Sequence, residues 1–222
     1  MAFQHCFTDG RSNGLSLGKI VCVGRNYADH AKELNNPIPT EPLLFIKPST
    51  AAVSLEQPFS ISEQWGSVHY ETELAILIGE TLTKADEADV VKAIVGVGLA
   101  LDLTIRDVQS KLKEKGQPWE RAKAFDGSCP LSVFVPIDQV DDLQSIQIQL
   151  TINGEVRQDG NSSMMLNKIV PLISEISQLF TLEPGDVVIT GTPAGVGQLN
   201  KGDELVVSLV DLLRVETSVK VD

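Results

Sequence analysis

The chain has no apolar run that approaches the roughly twenty residues a membrane span requires. It is also poor in cations: 18 Lys and Arg stand against 30 Asp and Glu, a formal net charge of −12. That balance weighs against nucleic acid or an anionic membrane as partner, because both are bound through a basic footprint. Cysteine is scarce. Cys6, Cys22 and Cys129 are odd in number and show neither CxxC nor zinc spacing. They read as reduced thiols, Cys22 as a small core residue, and they predict a cytoplasmic protein. Met1 to Gly14 offers no basic stretch followed by an apolar core, so no signal peptide is expected, and its single Arg is poor for a mitochondrial presequence. Internal repeats and low-complexity linkers are absent too. The 222 residues, 42% apolar, suffice for one sizeable core. An N-terminal arm over 1–18 and a single domain over 19–222 are expected.

What is present is a pair of acids at the head of an apolar strand. His69 to Gly79 has β-friendly residues, an apolar run from Leu74 to Ile78, then a glycine stop. Side chains alternate across a strand, so Glu71 and Glu73 fall on one face. The apolar run carries this strand into the core, where two carboxylates without a cation would raise at least one pKa. A bound divalent metal resolves the conflict; a half-exposed edge strand with two solvated glutamates resolves it as well. Asp102 adds weight to the metal. It ends the apolar stretch Val95 to Asp102, and three carboxylates with no Cys or His pattern nearby describe a hard oxygen site suited to Mg²⁺ or Mn²⁺. As an alternative or additional role, Asp102 is placed to N-cap a helix starting at Thr104.

Further strands are expected at Lys19–Gly24, Leu43–Lys47, Leu131–Val135, Ile146–Ile152, Val187–Thr190, Leu205–Leu209 and Leu213–Val219. Helical turns are expected from Arg25 to Leu34, Asp86 to Ile94, Thr104 to Lys115 and Ser163 to Leu182, with Pro171 a possible first turn of the last. Asn153-Gly154 signals a hairpin. Asn35 to Pro39 is loop chemistry, and Asn35 to Thr40 could hinge a lid. Many strands with short helices, lacking regular β-α alternation, describe an α+β fold with a large mixed sheet.

Arg106 and Gln109 follow Asp102 by four and seven residues, a helical spacing that lets both line a face beginning at the metal. Arginine there could grip a carboxylate and glutamine a carbonyl, though a solvated helix face has the same spacing. Lys123 lies among aromatic and small residues that suggest partial burial, where an ammonium needs a negative partner. His30 and Glu33 are three apart, as in a water-activating dyad whose carboxylate fixes the imidazole tautomer. A surface ion pair fits that spacing equally well. Gly191 to Gly197 lacks the Gly-Lys-Ser/Thr ending of a P-loop and reads as a tight loop where backbone and Thr192 approach a small ligand.

Taken together, several motifs carry a resemblance. Val23-Gly24-Arg25-Asn26-Tyr27-Ala28-Asp29-His30, Phe45-Ile46-Lys47-Pro48-Ser49, His69-Tyr70-Glu71-Thr72-Glu73-Leu74, the run Asp102 to Gln109, Lys123-Ala124-Phe125-Asp126 and Thr190 to Gly197 span almost the whole chain. The chain resembles the fumarylacetoacetate hydrolase superfamily in its short, acylpyruvate-hydrolase-type branch. The resemblance implies a mixed β-sheet roll with short flanking helices, in a homodimer. It implies Mg²⁺ or Mn²⁺ on Glu71, Glu73 and Asp102, a His30–Glu33 water-activating pair, enolate stabilisation by Lys123, and substrate contacts from Arg106, Gln109 and Thr192. Two departures stand out. Only some eighteen residues precede the first core strand, where larger members carry a separate domain, and Arg25 and Asn26 stand where those members place a further metal carboxylate. Water is expected in that coordination position, and both departures argue against fumarylacetoacetate as substrate.

The reaction this implies is cleavage of an acylpyruvate to pyruvate and a carboxylic acid. His30, oriented by Glu33, would deprotonate the attacking water, and the metal and Lys123 would stabilise the leaving enolate. Oxaloacetate decarboxylation is the main alternative, needing the same enolate stabilisation but no water, and isomerisation of an unsaturated 2-oxo acid is the third. A non-catalytic protein binding a metal or a 2-oxo acid is the rival from another class, and the His30/Glu33 pair speaks against it, since binding alone needs no base.

Overall fold

A computed structural model of the chain describes residues 3–34 and 37–220. Asn35 and Asn36, part of the expected hinge loop, lie outside the described residues.

The centre of the molecule is the strand Thr72–Ile78, buried at every position. Leu74, Ile76 and Ile78 face one apolar cluster, and Ala75 and Leu77 face another. Because both faces are covered, the strand reads as a continuous apolar run rather than an alternating one. Each fully buried Leu or Ile contributes about 1.5–3 kcal/mol. Around it the main sheet runs in the order Leu43–Lys47, Ile20–Gly24, Val187–Ile189, Thr72–Ile78, Ile94–Leu101, Cys129–Leu131, Ala52–Ser54. The sheet is mixed: Val187–Ile189 is parallel to Ile20–Gly24 and antiparallel to Thr72–Ile78.

A second, antiparallel sheet has the order Glu155–Asn161, Gln147–Ile152, Glu204–Leu209, Leu213–Ser218. Its Ile148, Leu150 and Val207 share a core with Leu74, Ile76 and Ile78 and with Ile173 of the helix Ile169–Leu179. This curled mixed sheet with short flanking helices is the expected α+β roll. The hairpin turn falls at Asn153-Gly154, where both residues have positive φ (51° and 82°), as a two-residue hairpin turn demands.

Four elements differ from expectation. Leu131–Val135 is not one strand: Cys129–Leu131 ends at its first residue and Val135–Pro136 begins at its last, both pairing with Ile94–Leu101. His69 to Gly79 is two strands, Val68–Tyr70 and Thr72–Ile78, which belong to different sheets and break at Glu71. Thr104–Ile105 is a short strand paired with Val68–Tyr70, so the helix begins later, at Arg106, and runs to Glu114. The long helix starts at Ile169, with Pro171 in its first turn, while Ser162–Met164 forms a separate 3₁₀ turn. Among the described residues no helix is long and apolar enough to cross a membrane.

The N-terminal segment, expected as an arm, is a hairpin of Gln4–Cys6 and Ser12–Ser16. It is tied down by His5, whose Nε2 lies 2.9 Å from the Gly185 carbonyl and whose ring packs between Phe3 and Phe134. A carbonyl only accepts, so Nε2 carries the proton, and the buried Nδ1 is left without a partner. Burial therefore holds the His5 pKa below its usual 6.5. As pH falls the unfolded chain binds the proton first, so this contribution to stability is present above about 6.5 and lost below it. His5→Gln, which keeps an N–H donor, should flatten the fall of melting temperature between about pH 7 and pH 5. It should not abolish the fall, because burial also lowers the pKa of His69. Melting curves across that range decide, and an unchanged slope would count against the His5 account.

Candidate metal centre and active site

The break at Glu71 builds the site. Thr72 pairs with Leu101 and Glu73 with Ala100, and the Asp102 amide donates to the Glu71 carbonyl at 2.8 Å. That register brings Glu71, Glu73 and Asp102 together, all buried, with one carboxylate oxygen from each lying within 4.8 Å of the others. Asp102 caps no helix; the residue before the Arg106 helix is Ile105.

Three cations converge on the same spot. Lys123, on the single turn Glu120–Lys123, donates to Glu71 Oε2 at 2.8 Å and to Asp102 Oδ2 at 2.5 Å, and its ammonium lies 5.1 Å from the Phe45 ring centre. Arg106 Nη2 reaches Glu71 Oε1 at 2.5 Å and Nη1 reaches Gln109 Oε1 at 2.8 Å. Arg106 comes here because Thr104–Ile105 is stitched to Val68–Tyr70, not through a helical face starting at Asp102. Lys47 is the third cation and one that motif reasoning gave no role. It is fully buried, lies 2.9 Å from Asp102 Oδ1, and donates to the Lys123 carbonyl and to both the carbonyl and hydroxyl of Ser128. The signal was available: a lysine closing the apolar run Leu43–Ile46 has to find a partner once buried.

The charges separate the three carboxyls. Burial pushes Glu71 up, but the Lys123 and Arg106 cations outweigh it and hold the group well below the usual carboxylate range. Glu73 is driven well above that range, first by burial and then by the neighbouring Asp102 and Glu71. Its Oε2 accepts from the Gly191 amide at 2.7 Å. Burial works against the Lys123 ammonium, yet Asp102 and Glu71 raise its pKa and keep it charged. Cys129 nearby is pushed up to about 12 by burial, which leaves a neutral thiol.

His30, on the helix Ala28–Glu33, is buried, with Nδ1 3.4 Å from Glu33 Oε2. Glu33 also accepts from the Gly195 amide at 3.1 Å. The glycine loop thus aims its backbone N–H groups at the protein's own carboxylates, Glu73 and Glu33. Gly191 and Gly195 need their positive φ (95° and 101°) for this. Thr192 in the same loop is buried.

His30, Glu71, Arg106, Gln109 and Lys123 line one narrow cavity of about 40 Å³, together with Arg25, which adopts a left-handed φ of 58°. A larger groove of about 610 Å³ lies over the outer sheet around Gln149 and Arg214, and neither His30 nor any of the three carboxylates lines it. Asn26 is committed elsewhere: its amide spans the Thr190 and Asn167 carbonyls and the Asn167 amide.

The family model of the fumarylacetoacetate hydrolase C-terminal region matches residues 19–220. The chain belongs to the fumarylacetoacetate hydrolase family. It is 55% identical over 207 residues to the oxaloacetate tautomerase YcgM of Escherichia coli, covering 93% of this chain and 94% of that one. It is 42% identical over 201 residues to a mitochondrial oxaloacetate tautomerase of Bos taurus, covering 90% and 91%. The crystal structure of fumarylpyruvate hydrolase from Pseudomonas aeruginosa in complex with Mn²⁺ and pyruvate superposes with a TM-score of 0.92 at 32% identity, covering 100% of this chain and 97% of that one.

The residues of this family member fit a divalent metal. All three donors are hard oxygens, and Asp102 Oδ1, though close to Lys47, makes no aligned hydrogen bond and keeps its lone pairs. Glu73→Gln keeps the shape and removes a carboxylate squeezed by two like charges. The metal-free variant should melt above wild type, and Mn²⁺ affinity should fall by more than the ~10- to 100-fold typical of losing an outer-sphere partner. Calorimetry with and without Mn²⁺ reads both, and unchanged affinity would take Glu73 out of the ligand set.

Proposed function

We propose that the chain is a divalent-metal-dependent oxaloacetate tautomerase, interconverting the keto and enol forms. The observation that carries this reading is the charge of the narrow cavity. Arg25, Arg106, Lys113 and Lys123 line it, and among the described residues Glu71 is its one carboxylate. Glu71, Glu73 and Asp102 are balanced by Lys47, Arg106 and Lys123. A divalent cation would leave that cluster two positive charges in excess, with Arg25 and Lys113 beside it, and a compact dianion such as oxaloacetate offsets part of that charge. The reaction named for the Escherichia coli and bovine relatives agrees.

His30 is the residue to move the proton. Its Nδ1, held toward Glu33, keeps the N–H, leaving the Nε2 lone pair to take a proton from C3 of the keto form. The C–H electron pair becomes the C2–C3 double bond, and the carbonyl electrons move to the 2-oxo oxygen. The proton held on His30 Nε2 passes to that oxygen, which completes the enol and returns the neutral imidazole, and the reverse sequence restores the ketone. Lys123, kept charged by its two carboxylates, counters the negative charge that develops on the oxygen. Arg106, Gln109 and Thr192 hold the substrate's carboxylates and carbonyl. When bound to Glu71, Glu73 and Asp102, Mg²⁺ or Mn²⁺ supplies Lewis-acid stabilisation of charge on the same oxygen.

Acylpyruvate hydrolysis stays as a second reading, favoured by the likeness to fumarylpyruvate hydrolase. There the same dyad would deprotonate water instead of carbon. The two readings separate in one assay. Enol absorbance of oxaloacetate should relax faster with the Mg²⁺- or Mn²⁺-loaded protein, and His30→Ala should slow it by about 10²–10⁴. Acetylpyruvate cleavage, assayed in parallel, should be the weaker activity. Tautomerisation that survives chelation, or that His30→Ala leaves intact, would overturn the proposal.

A further inference from the structure

The strand Glu155–Asn161 is exposed over most of its length, yet Gln158 on it is 1% exposed. Pairing explains this: Gln158 lies opposite Leu150 and Gly160 opposite Ile148, and residues opposite one another share a face, here the buried one. The next residue, Thr151, pairs with Val156, so Arg157 is left as the extra residue of a bulge that ends this alternation. Gly195 of the glycine loop packs on the bulge so closely that a Cβ there would collide with the Arg157 carbonyl.

Inside, the Gln158 amide is fully used. Oε1 accepts from the Thr72 amide at 3.0 Å, and Nε2 donates to the Pro193 carbonyl at 2.8 Å and to Thr192 Oγ1 at 2.7 Å. The two backbone partners fix which end is which. A backbone N–H can only donate and a carbonyl can only accept, so the oxygen faces Thr72 and the NH₂ faces the loop. Thr192 Oγ1 is therefore an acceptor toward Gln158. Its single proton points elsewhere.

We propose that Gln158 is a positioning residue for substrate recognition: it fixes the polarity of the Thr192 hydroxyl, so that Thr192 meets the substrate as a hydrogen-bond donor. The anionic oxygens of a 2-oxo acid require a donor. Through the Thr72 amide, which lies between Glu71 and Glu73, the same side chain locks the loop to the segment carrying two of the carboxylates. The inference rests on the reading that Thr192 contacts substrate, and its test separates the two.

Gln158→Glu is the decisive variant. A carboxylate still accepts from the Thr72 amide, but it cannot donate, so it draws the Thr192 proton toward itself. In the Mg²⁺-loaded protein the KM for oxaloacetate should rise about ten-fold or more, the effect of losing a hydrogen bond to a charged group, with kcat changed less. The Kd of oxalate, a planar dianion, should rise in parallel by calorimetry. Thr192→Val should raise KM similarly, and Gln158→Glu added to it should raise KM little further, because the hydroxyl it misdirects is already gone. Gln158→Met, which leaves the hydroxyl free to rotate, should raise KM less than Gln158→Glu; if the Glu variant does not fold, Met combined with Thr192→Val carries the same non-additivity test. Multiplicative effects in the double variant, or Met as harmful as Glu, would reduce Gln158 to packing and overturn the proposal. A normal KM in Thr192→Val would overturn the substrate role of Thr192 itself, and this inference with it.

Discussion

Everything in this protein's centre depends on pairing charges that have been taken out of water. The effective penalty of burying one ion is several kcal/mol, and removing one partner of such a pair costs ~3–5 kcal/mol. Lys123 answers this by bridging Glu71 and Asp102, and Lys47 by sitting beside Asp102 while donating to the carbonyls around it. Arg106 closes the other side of Glu71. The lysine on a one-turn helix, the lysine ending a sheet strand and the arginine opening a helix are thus held in place by the same acids. Glu73 alone lacks an ion pair among the described residues, and its raised pKa marks where a further positive charge is wanted.

The glycine loop joins this cluster to the imidazole. Gly191 donates to Glu73, on the metal side, and Gly195 donates to Glu33, which orients His30. Two N–H groups four residues apart therefore fix the relative placement of the proposed metal ligands and the proposed base. A loop of this type resembles a phosphate cradle because both present backbone N–H groups to anions. Here the anions are the protein's own side chains, and the free volume left beside them is a small cationic cleft. His30, Glu71, Arg106 and Lys123 line that cleft together, which fits the proposed proton transfer on a compact 2-oxo acid.

Much of this was legible in the sequence. The strands at Ile20–Gly24, Leu43–Lys47 and Gln147–Ile152 follow from apolar runs and their punctuation, and Asn153-Gly154 marks its hairpin. The acids of the site, its histidine and Lys123 are identifiable by type and by motif. Thr104–Ile105 is harder to read, because its strand character comes from pairing with Val68–Tyr70, and two β-branched residues are too short a run to signal a strand by themselves. The break at Glu71 is hidden for the same reason: Val68–Tyr70 and Thr72–Ile78 are both good strand sequence, and only their different partners separate them.

By itself, then, the sequence determined the fold class, where most of the strands lie along the chain and which ionisable groups were available, since hydrophobic periodicity and turn chemistry act over a few neighbouring residues. Tertiary structure decided which charges meet. Asp102 joins Glu71 because Thr72 pairs with Leu101 in one register, and a slip of one residue would send those side chains to opposite faces. Lys47 and Gln158 gained their places in the same way, one from a sheet strand beyond the helix carrying His30, the other from its pairing opposite Leu150 in a different sheet. Their partners lie tens of residues away, and the cost of leaving a buried polar group unpaired, which forces those meetings, exists only once the chain has closed around them.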